Sequence, residues 1–150
     1  MPASVRIAIA AIGALFATNF GLLALVLASG LVSPLLILNL GVTGLVLWGL
    51  LRRHRLAWQW GRVLSLFSAI VTTLAMVVDL LVDEIAIASG WLYWLLVFQV
   101  VCLYLTFVAL GRSSAFEHFD LICPECSKPT KKAANFWFTR ARCRACGHTW

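Results

Sequence analysis

The chain has 150 residues, of which 62% are hydrophobic and 12% are charged, and its formal net charge is +6. A soluble domain usually carries about 25% charged residues, and a domain this small leaves much of its surface exposed. The composition therefore excludes an ordinary soluble globular domain and predicts that the excess apolar surface faces lipid. The first apolar stretch exceeds the roughly 7–15 apolar residues of a signal peptide, so we expect it to be a retained membrane helix.

Four apolar stretches are long enough to form helices that cross the roughly 30 Å hydrocarbon layer of a membrane. A turn rich in Gly, Ser and Pro separates the first two, the basic sequence RRHR separates the second and third, and an acidic sequence separates the last two. We therefore predict an all-α membrane protein built on a four-helix transmembrane bundle. The predicted spans are residues 5–28, 35–51, 63–82 and 91–110, in a transmembrane domain of residues 1–111.

The basic residues predict the orientation of these spans. All twelve Lys and Arg residues lie at the N-terminal end of the first span, between the second and third, or after the fourth. An even number of spans places these three segments on the same side, and Lys and Arg mark the cytoplasmic side of a membrane protein. We therefore expect both termini to be cytoplasmic, and we expect the protein to reside in a bacterial inner membrane.

The predicted spans offer few groups for transport or catalysis. Asp79 and Asp83 share a helix face and could form an ion or proton site, although their position at the outer end of the third span, in water or headgroups, is the favoured explanation. The other polar residues that we considered show no repeated polar face, so we expect them to join helices by hydrogen bonds. They are Thr18, Asn19, Asn39, Thr43, Thr72, Thr73, Gln99 and Thr106. Because no nucleophile and base form a constellation, we expect a protein that is not an enzyme.

Small residues recur every four positions in the first span, at Gly13, Ala17 and Gly21. This spacing lets two helix backbones approach closely in a membrane. We expect the partner to be another helix of the same bundle, while a homo-oligomer remains an alternative.

The last 30 residues contain four cysteines in the pattern C-x2-C-x16-C-x2-C, which is typical of zinc sites. Zinc binds four thiolates at the corners of a tetrahedron, and each pair of cysteines can direct two sulfurs to one point. Pro124 fixes its own backbone angle after the first ligand, and Gly147 follows the last ligand, where a positive backbone angle is often required. The predicted ligands are Cys123, Cys126, Cys143 and Cys146. Two short strands held by these turns would form a zinc ribbon, a small β structure. We therefore predict a cytoplasmic zinc ribbon over residues 121–150, preceded by a linker of residues 112–120.

This tail resembles the short finger-like zinc-ribbon family found at one end of many bacterial proteins. The resemblance lies in ICPEC and in RARCRACGHTW, and it covers about a fifth of the chain. It implies one structural Zn²⁺ held by the four cysteines. Ser127 stands where related ribbons often have Gly, a departure that leaves the ligands intact.

Other chemistries for the cysteines are less favoured. Disulfides are disfavoured in the reducing cytosol, and a redox Cys pair usually needs a βαβ setting that is absent here. Iron on four cysteines is an alternative to zinc. A catalytic zinc keeps an open coordination position, which four thiolates would close.

The predicted ribbon is basic, with one acidic residue, Glu125, and six basic residues. The basic residues are Lys128, Lys131, Lys132, Arg140, Arg142 and Arg144. Such a surface suits the anionic membrane surface or a protein partner, and nucleic acid is compatible but not favoured. We predict a membrane-anchored interaction or regulatory module. The alternative is a small transporter or channel subunit that the ribbon regulates.

Overall fold

The computed structural model describes residues 1–30, 34–81, 90–130 and 140–150. This part of the chain is mostly helical. Its helices are α1 (Ala3–Ala28), α2 (Pro34–Leu51), α3 (Arg55–Leu81), α4 (Gly90–Leu110) and the short α5 (Ser113–His118). The third helix begins eight residues before the span predicted from residue 63, because the aromatic lead-in LAWQWGR is itself helical.

The four long helices form a bundle in which each helix packs on its neighbours in the chain and α1 closes the ring against α4. Local sequence favours this topology. Pro34 occupies the first position of α2, where its fixed backbone angle suits a helix start. The turn between α2 and α3 is only three residues long, and the His54 N–H donates to the Gly49 carbonyl at 2.8 Å. A turn this short makes α2 and α3 antiparallel neighbours.

The outer surface of the bundle is apolar. Large hydrophobic side chains are exposed on all four long helices, among them Phe20 on α1, Leu45 on α2, Phe67 on α3 and Trp94 on α4. Within the described residues, three helical segments are long and apolar enough to cross a membrane: Ala3–Ala28, Arg55–Val78 and Tyr93–Leu110. The apolar part of α2, Leu36–Leu51, is shorter. The chain thus has the surface and the helix lengths of an integral membrane protein.

One expectation about helix packing was wrong. Gly13 and Gly21 do not lie against a neighbouring helix, since a Cβ atom added at either position would meet no described atom within 4 Å. Ala17 and Gly21 are exposed on the outer face of α1. The bundle contacts of α1 are instead made by a stripe that includes Ala8, Ile12 and Leu15.

The main core lies at the end of the bundle where α1 and α3 begin and α2 and α4 end. Trp58 is 2% exposed there, and its Nε1–H donates to the Leu110 carbonyl at 2.9 Å. The helix α5, within the segment that we predicted to be a linker, packs against α1 and α4 at this end. Phe116 and Phe119 are buried in the same core, together with residues of the cysteine tail.

Candidate metal centre

Two backbone turns of the same design carry the four cysteines. In the first, the Ser127 N–H donates to the Cys123 carbonyl at 2.9 Å; in the second, the Gly147 N–H donates to the Cys143 carbonyl at 3.1 Å. In each turn, the N–H of the leading cysteine also donates to the carbonyl of the residue five positions later, which is Lys128 in the first turn and His148 in the second. The two turns are therefore repeats of one structure.

The residue after the second cysteine of each turn has a left-handed backbone, with φ of +54° at Ser127 and +78° at Gly147. Glycine adopts this conformation without steric cost, whereas a residue with a Cβ atom is strained there. The prediction that Gly147 provides a positive backbone angle is confirmed. Ser127 adopts the same conformation at the position where we noted the departure from glycine.

The two turns bring the four sulfur atoms together. All four Sγ atoms lie within 4.8 Å of one another, and the closest pairs are Cys123 with Cys146 at 3.6 Å and Cys126 with Cys143 at 3.4 Å. A tetrahedral ion with metal–sulfur bonds of about 2.3 Å would require sulfur atoms about 3.8 Å apart. The two closest pairs are near this spacing, so the four cysteines could hold a metal ion.

The sulfur atoms differ in their exposure. Cys123 and Cys143, the leading residues of the two turns, are buried at 0% and 3% exposure, whereas Cys126 is half-buried and Cys146 is exposed. Among the described residues, no histidine or carboxylate joins the cluster. His148 instead stacks on Trp150, with ring centroids 6.2 Å apart. The cluster is an all-sulfur donor set, as predicted.

The pKa values of three thiols in the cluster are shifted in different directions. The backbone N–H groups of Cys146 and Ala145 donate to the Cys143 sulfur and lower the pKa of that thiol to about 6. At Cys126 the Lys128 N–H acts in the same direction, but the neighbouring thiols and desolvation outweigh it and raise the pKa. At Cys146 the His148 N–H is likewise outweighed, and the pKa is raised to about 12.

Because of these opposite pKa shifts, the thiols of the cluster ionise with different ease. The Cys143 thiol ionises more readily, whereas Cys126 and Cys146 resist ionisation because of the neighbouring thiols and desolvation. Four thiolates so close together would also repel one another. A divalent cation removes this repulsion and stabilises the deprotonated ligands. The donor set therefore suits a metal that holds the turns together.

The cysteine tail is packed onto the bundle. The Arg55 side chain, at the start of α3, donates from Nε to the Phe119 carbonyl at 3.3 Å and from its terminal nitrogen to the backbone oxygen of Trp150 at 3.2 Å. Leu121 and Ala141, both fully buried, belong to the same apolar core as Val5 of α1. The tail that carries the cysteine cluster is thus packed directly against the end of the bundle.

The predicted β ribbon is not visible as strands in the described part of the tail. Backbone pairing there consists of two isolated bridges, between Ile122 and Pro129 and between Arg142 and Thr149. The Thr130 hydroxyl joins the two halves by donating to the Arg142 carbonyl at 2.9 Å. Residues 131–139, which contain much of the predicted strand region, lie outside the described residues.

Four of the six predicted basic residues are described, and all four are exposed: Lys128, Arg140, Arg142 and Arg144. Lys131 and Lys132 lie outside the described residues. Arg142 and Arg144 flank Cys143 and line a surface pocket with it, whereas the exposed Glu125 lies next to Cys126, so the described surface near the cluster is mostly positive.

The two acidic residues of the predicted ion site cannot be placed together. The backbone of Asp79 belongs to α3, but its side chain is not among those described, and Asp83 lies outside the described residues.

A second candidate site lies inside the bundle. A cavity of about 390 Å³ is lined by residues of all four long helices. The hydroxyl side chains of Ser65, Ser68 and Thr72 face it from α3. Polar side chains of the other three helices also line the cavity: Asn19, Asn39, Thr43 and Gln99.

The cavity corrects our expectation that the spans carry no repeated polar face. Ser65, Ser68 and Thr72 recur at i, i+3 and i+7, which is the spacing of a single helix face. That signal was present in the sequence, but Ser65 and Ser68 were not among the polar residues that we considered. One of the expected hydrogen bonds between helices is present in the described part of the chain, where Gln99 Nε2 donates to Asn19 Oδ1 at 3.2 Å.

Comparisons with protein-family models, with curated proteins and with solved structures found no match to this chain.

Proposed function

We propose that this chain is a membrane-anchored interaction module, in which a metal-stabilised cytoplasmic platform at the end of a four-span bundle binds a partner. The observation that carries the proposal is the packing of the cysteine tail on the bundle through Arg55. A tail that hung freely would explore many orientations, whereas this one presents its exposed basic residues in a fixed position. Fixing a binding surface in advance reduces the entropy lost on association.

The membrane arrangement within this proposal has four spans. The 18 residues of α2 extend about 27 Å at 1.5 Å per residue, close to the roughly 30 Å of the hydrocarbon layer. The exposed side chains of Arg6, Arg53 and Arg112 lie at the same end of the bundle as the tail. By the rule that Lys and Arg mark the cytoplasmic side, this supports cytoplasmic termini, and we place the protein in a bacterial inner membrane.

The metal in this proposal is one structural Zn²⁺ per chain in a finger-like zinc ribbon. Four thiolates satisfy zinc completely and leave no coordination position for water, so the metal would stabilise the fold without performing chemistry. Iron remains the competing metal. The repeated turns, with a left-handed residue after each second cysteine, support the resemblance to such ribbons. We propose no enzymatic activity.

The partner should carry acidic groups, because the described surface around the metal is basic. An acidic face of a cytosolic protein and the anionic leaflet both meet this requirement, whereas nucleic acid is not favoured for a platform so close to the leaflet. The charge-reversal variant Arg142→Glu/Arg144→Glu tests the platform. Arg6→Glu is a control, since Arg6 is exposed at the same end of the bundle but belongs to α1.

The experiment is chemical crosslinking in intact cells, followed by purification of the full chain with its captured proteins. We expect the platform variant to lose a reproducible partner that both the wild type and the Arg6 variant retain, with equal metal content in all three. Equal capture by the platform variant and the wild type would contradict the proposal. Loss of the partner together with the metal would show only a folding defect, and Lys128→Glu then provides the milder test.

A second candidate function is a small transporter or channel subunit that the ribbon regulates. The cavity between the four long helices favours it, because polar side chains at membrane depth often mark the path of a solute. Under this alternative, Asp79→Asn abolishes function while folding is preserved. Under the anchoring proposal, Asp79→Asn is silent and Cys143→Ser abolishes function.

A further inference from the structure

The cavity in the bundle combines apolar walls with uncharged polar groups. Among the described residues that line it, none carries an ionisable side chain. The apolar part of the lining includes Ile12, Leu15 and Leu103, and the polar part consists of amide and hydroxyl groups. Its volume of about 390 Å³ falls within the range of roughly 300–1,000 Å³ that is typical of small-molecule sites.

The hydroxyl groups on α3 fall into two sets. Ser65 and Thr73 donate to the carbonyl oxygens four residues earlier, those of Gly61 and Ala69, as serine and threonine commonly do within helices. In the described part of the chain, the hydroxyls of Ser68 and Thr72 make no hydrogen bond, and both line the cavity. A polar group without a partner is costly at membrane depth, so these two hydroxyls favour an occupant that can bond to them.

The side of the cavity formed by α2 reaches the outer surface of the bundle. Leu38 and Val42 both line the cavity and are 65% and 37% exposed. Asn39, between them in sequence, is exposed as well, and its amide oxygen accepts a hydrogen bond from the Thr43 hydroxyl at 3.1 Å. Because this outer face is apolar, lipid-soluble molecules could enter the cavity from this side.

We propose that the cavity binds an uncharged, lipid-soluble molecule whose head carries hydroxyl groups, of the monoacylglycerol class. The lack of ionisable groups among the described lining residues disfavours a charged head, which would lose its hydration without a counter-charge. Amides and hydroxyls both donate and accept hydrogen bonds, as the hydroxyls of such a head do. The acyl chain would leave past Leu38 and Val42. This site is independent of the metal centre and of the partner platform.

The test is native mass spectrometry of the full, metal-loaded chain in mild detergent, titrated with 1-oleoylglycerol. We expect saturable binding of one molecule per chain. The double variant Ser68→Ala/Thr72→Val should weaken this binding by roughly fivefold for each hydrogen bond lost. Thr73→Val is the matched control, since the same chemical change one position along α3 removes a hydroxyl that is already bonded to Ala69 and does not line the cavity. It should bind as the wild type does.

A charged analogue with the same acyl chain separates the cavity from the basic end of the bundle. Oleoyl lysophosphatidate should not displace 1-oleoylglycerol, even where it binds elsewhere on the basic surface. The proposal is overturned if 1-oleoylglycerol shows no saturable binding, if the double variant binds it as tightly as Thr73→Val does, or if lysophosphatidate displaces it equally well. Where the double variant fails to fold, Thr72→Val alone supplies the same comparison.

Discussion

The guanidinium of Arg55 donates a hydrogen bond to the backbone oxygen of Trp150, a residue 95 positions later in the chain, at 3.2 Å. The Trp150 indole in turn donates to the Asp120 carbonyl at 3.0 Å, while Arg55 also bonds to the Phe119 carbonyl. A residue at the start of a bundle helix thereby links α5 to the last turn of the metal module. The membrane part and the cysteine tail are one packed structure at this end.

Loss of this link should loosen the tail. We expect Arg55→Ala to destabilise the docked tail by about 2 kcal/mol, since hydrogen bonds from a charged donor contribute about 1.5–3 kcal/mol. The measurement is hydrogen exchange at the paired amides of Ala141 and Trp150, whose protection should fall about thirtyfold. Arg52→Ala is the control, because Arg52 is exposed and lies over the Trp48 ring instead. Equal protection in the two variants would contradict a docking role for Arg55.

Metal content should depend on the four clustered cysteines and not on the fifth. We expect one zinc per wild-type chain and a loss of binding in Cys143→Ser, because three thiolates no longer complete the shell. Cys102→Ala should retain the full metal content, since Cys102 is buried in α4, away from the cluster. Elemental analysis of freshly purified, reduced protein measures both. Wild-type protein that is free of metal would refute the centre, and iron at one per chain would refute zinc.

Substitutions at the two residues with left-handed backbone, Ser127 and Gly147, should change the stability of the tail in opposite directions. Ser127→Gly should stabilise the tail by about 0.5–1 kcal/mol, because the strain of a side chain at positive φ exceeds the added flexibility of the unfolded chain. Gly147→Ala should destabilise it by about 1 kcal/mol. A Cβ at Gly147 would meet no described atom within 4 Å, so backbone conformation alone is responsible. The measurement is the retention of zinc against a competing chelator, which should be strongest in Ser127→Gly, intermediate in the wild type and weakest in Gly147→Ala. The reverse order would contradict the shared design of the two turns.

The contact between α2 and α3 should require glycine at position 49. A Cβ atom at Gly49 would collide with the Ala57 Cβ, so Gly49→Ala should destabilise the bundle by about 1–3 kcal/mol, as overpacking usually does. Gly41→Ala, on the same helix, meets open space and should be tolerated. Thermal unfolding in detergent compares the two variants. If Gly41→Ala proved as destabilising as Gly49→Ala, helix flexibility rather than close approach would be the cause.

His118 should make the stability of the folded chain sensitive to acid. Burial and the positive charge of Arg53 lower the pKa of His118 in the folded state. The unfolded chain therefore takes up the proton first, and stability should fall as the pH drops below the unfolded value of about 6.5, until the folded imidazole is protonated as well. His118→Gln should remove this part of the pH dependence while leaving the metal-dependent part. Chemical unfolding between pH 7 and 5 tests it, and identical slopes for variant and wild type would contradict it.

Much of the architecture follows from local sequence. The lengths of the apolar stretches and the turn residues between them predicted the four long helices, because helix formation and burial in lipid depend on residues close together in the chain. The Cys-x2-Cys spacing predicted the metal ligands for the same reason, since each turn is built within six residues. The positions of the basic residues predicted that the tail and the N-terminus lie at one end of the bundle, and the packed core at that end agrees.

Three features depended on the tertiary structure. The tail docks on the bundle through contacts between residues 64 and 95 positions apart, such as Arg55 with Phe119 and Trp150, and no local pattern specifies such pairs. Ala17 and Gly21 of α1 face outward because the bundle packs on a different stripe of that helix, although the spacing of both stripes suits a helix contact. The polar cavity exists because four helices direct amide and hydroxyl groups to one point. Sequence thus determined which segments are helices and which cysteines meet, through short-range periodicity and spacing, whereas the rotation of each helix about its axis was decided only by how all four pack together.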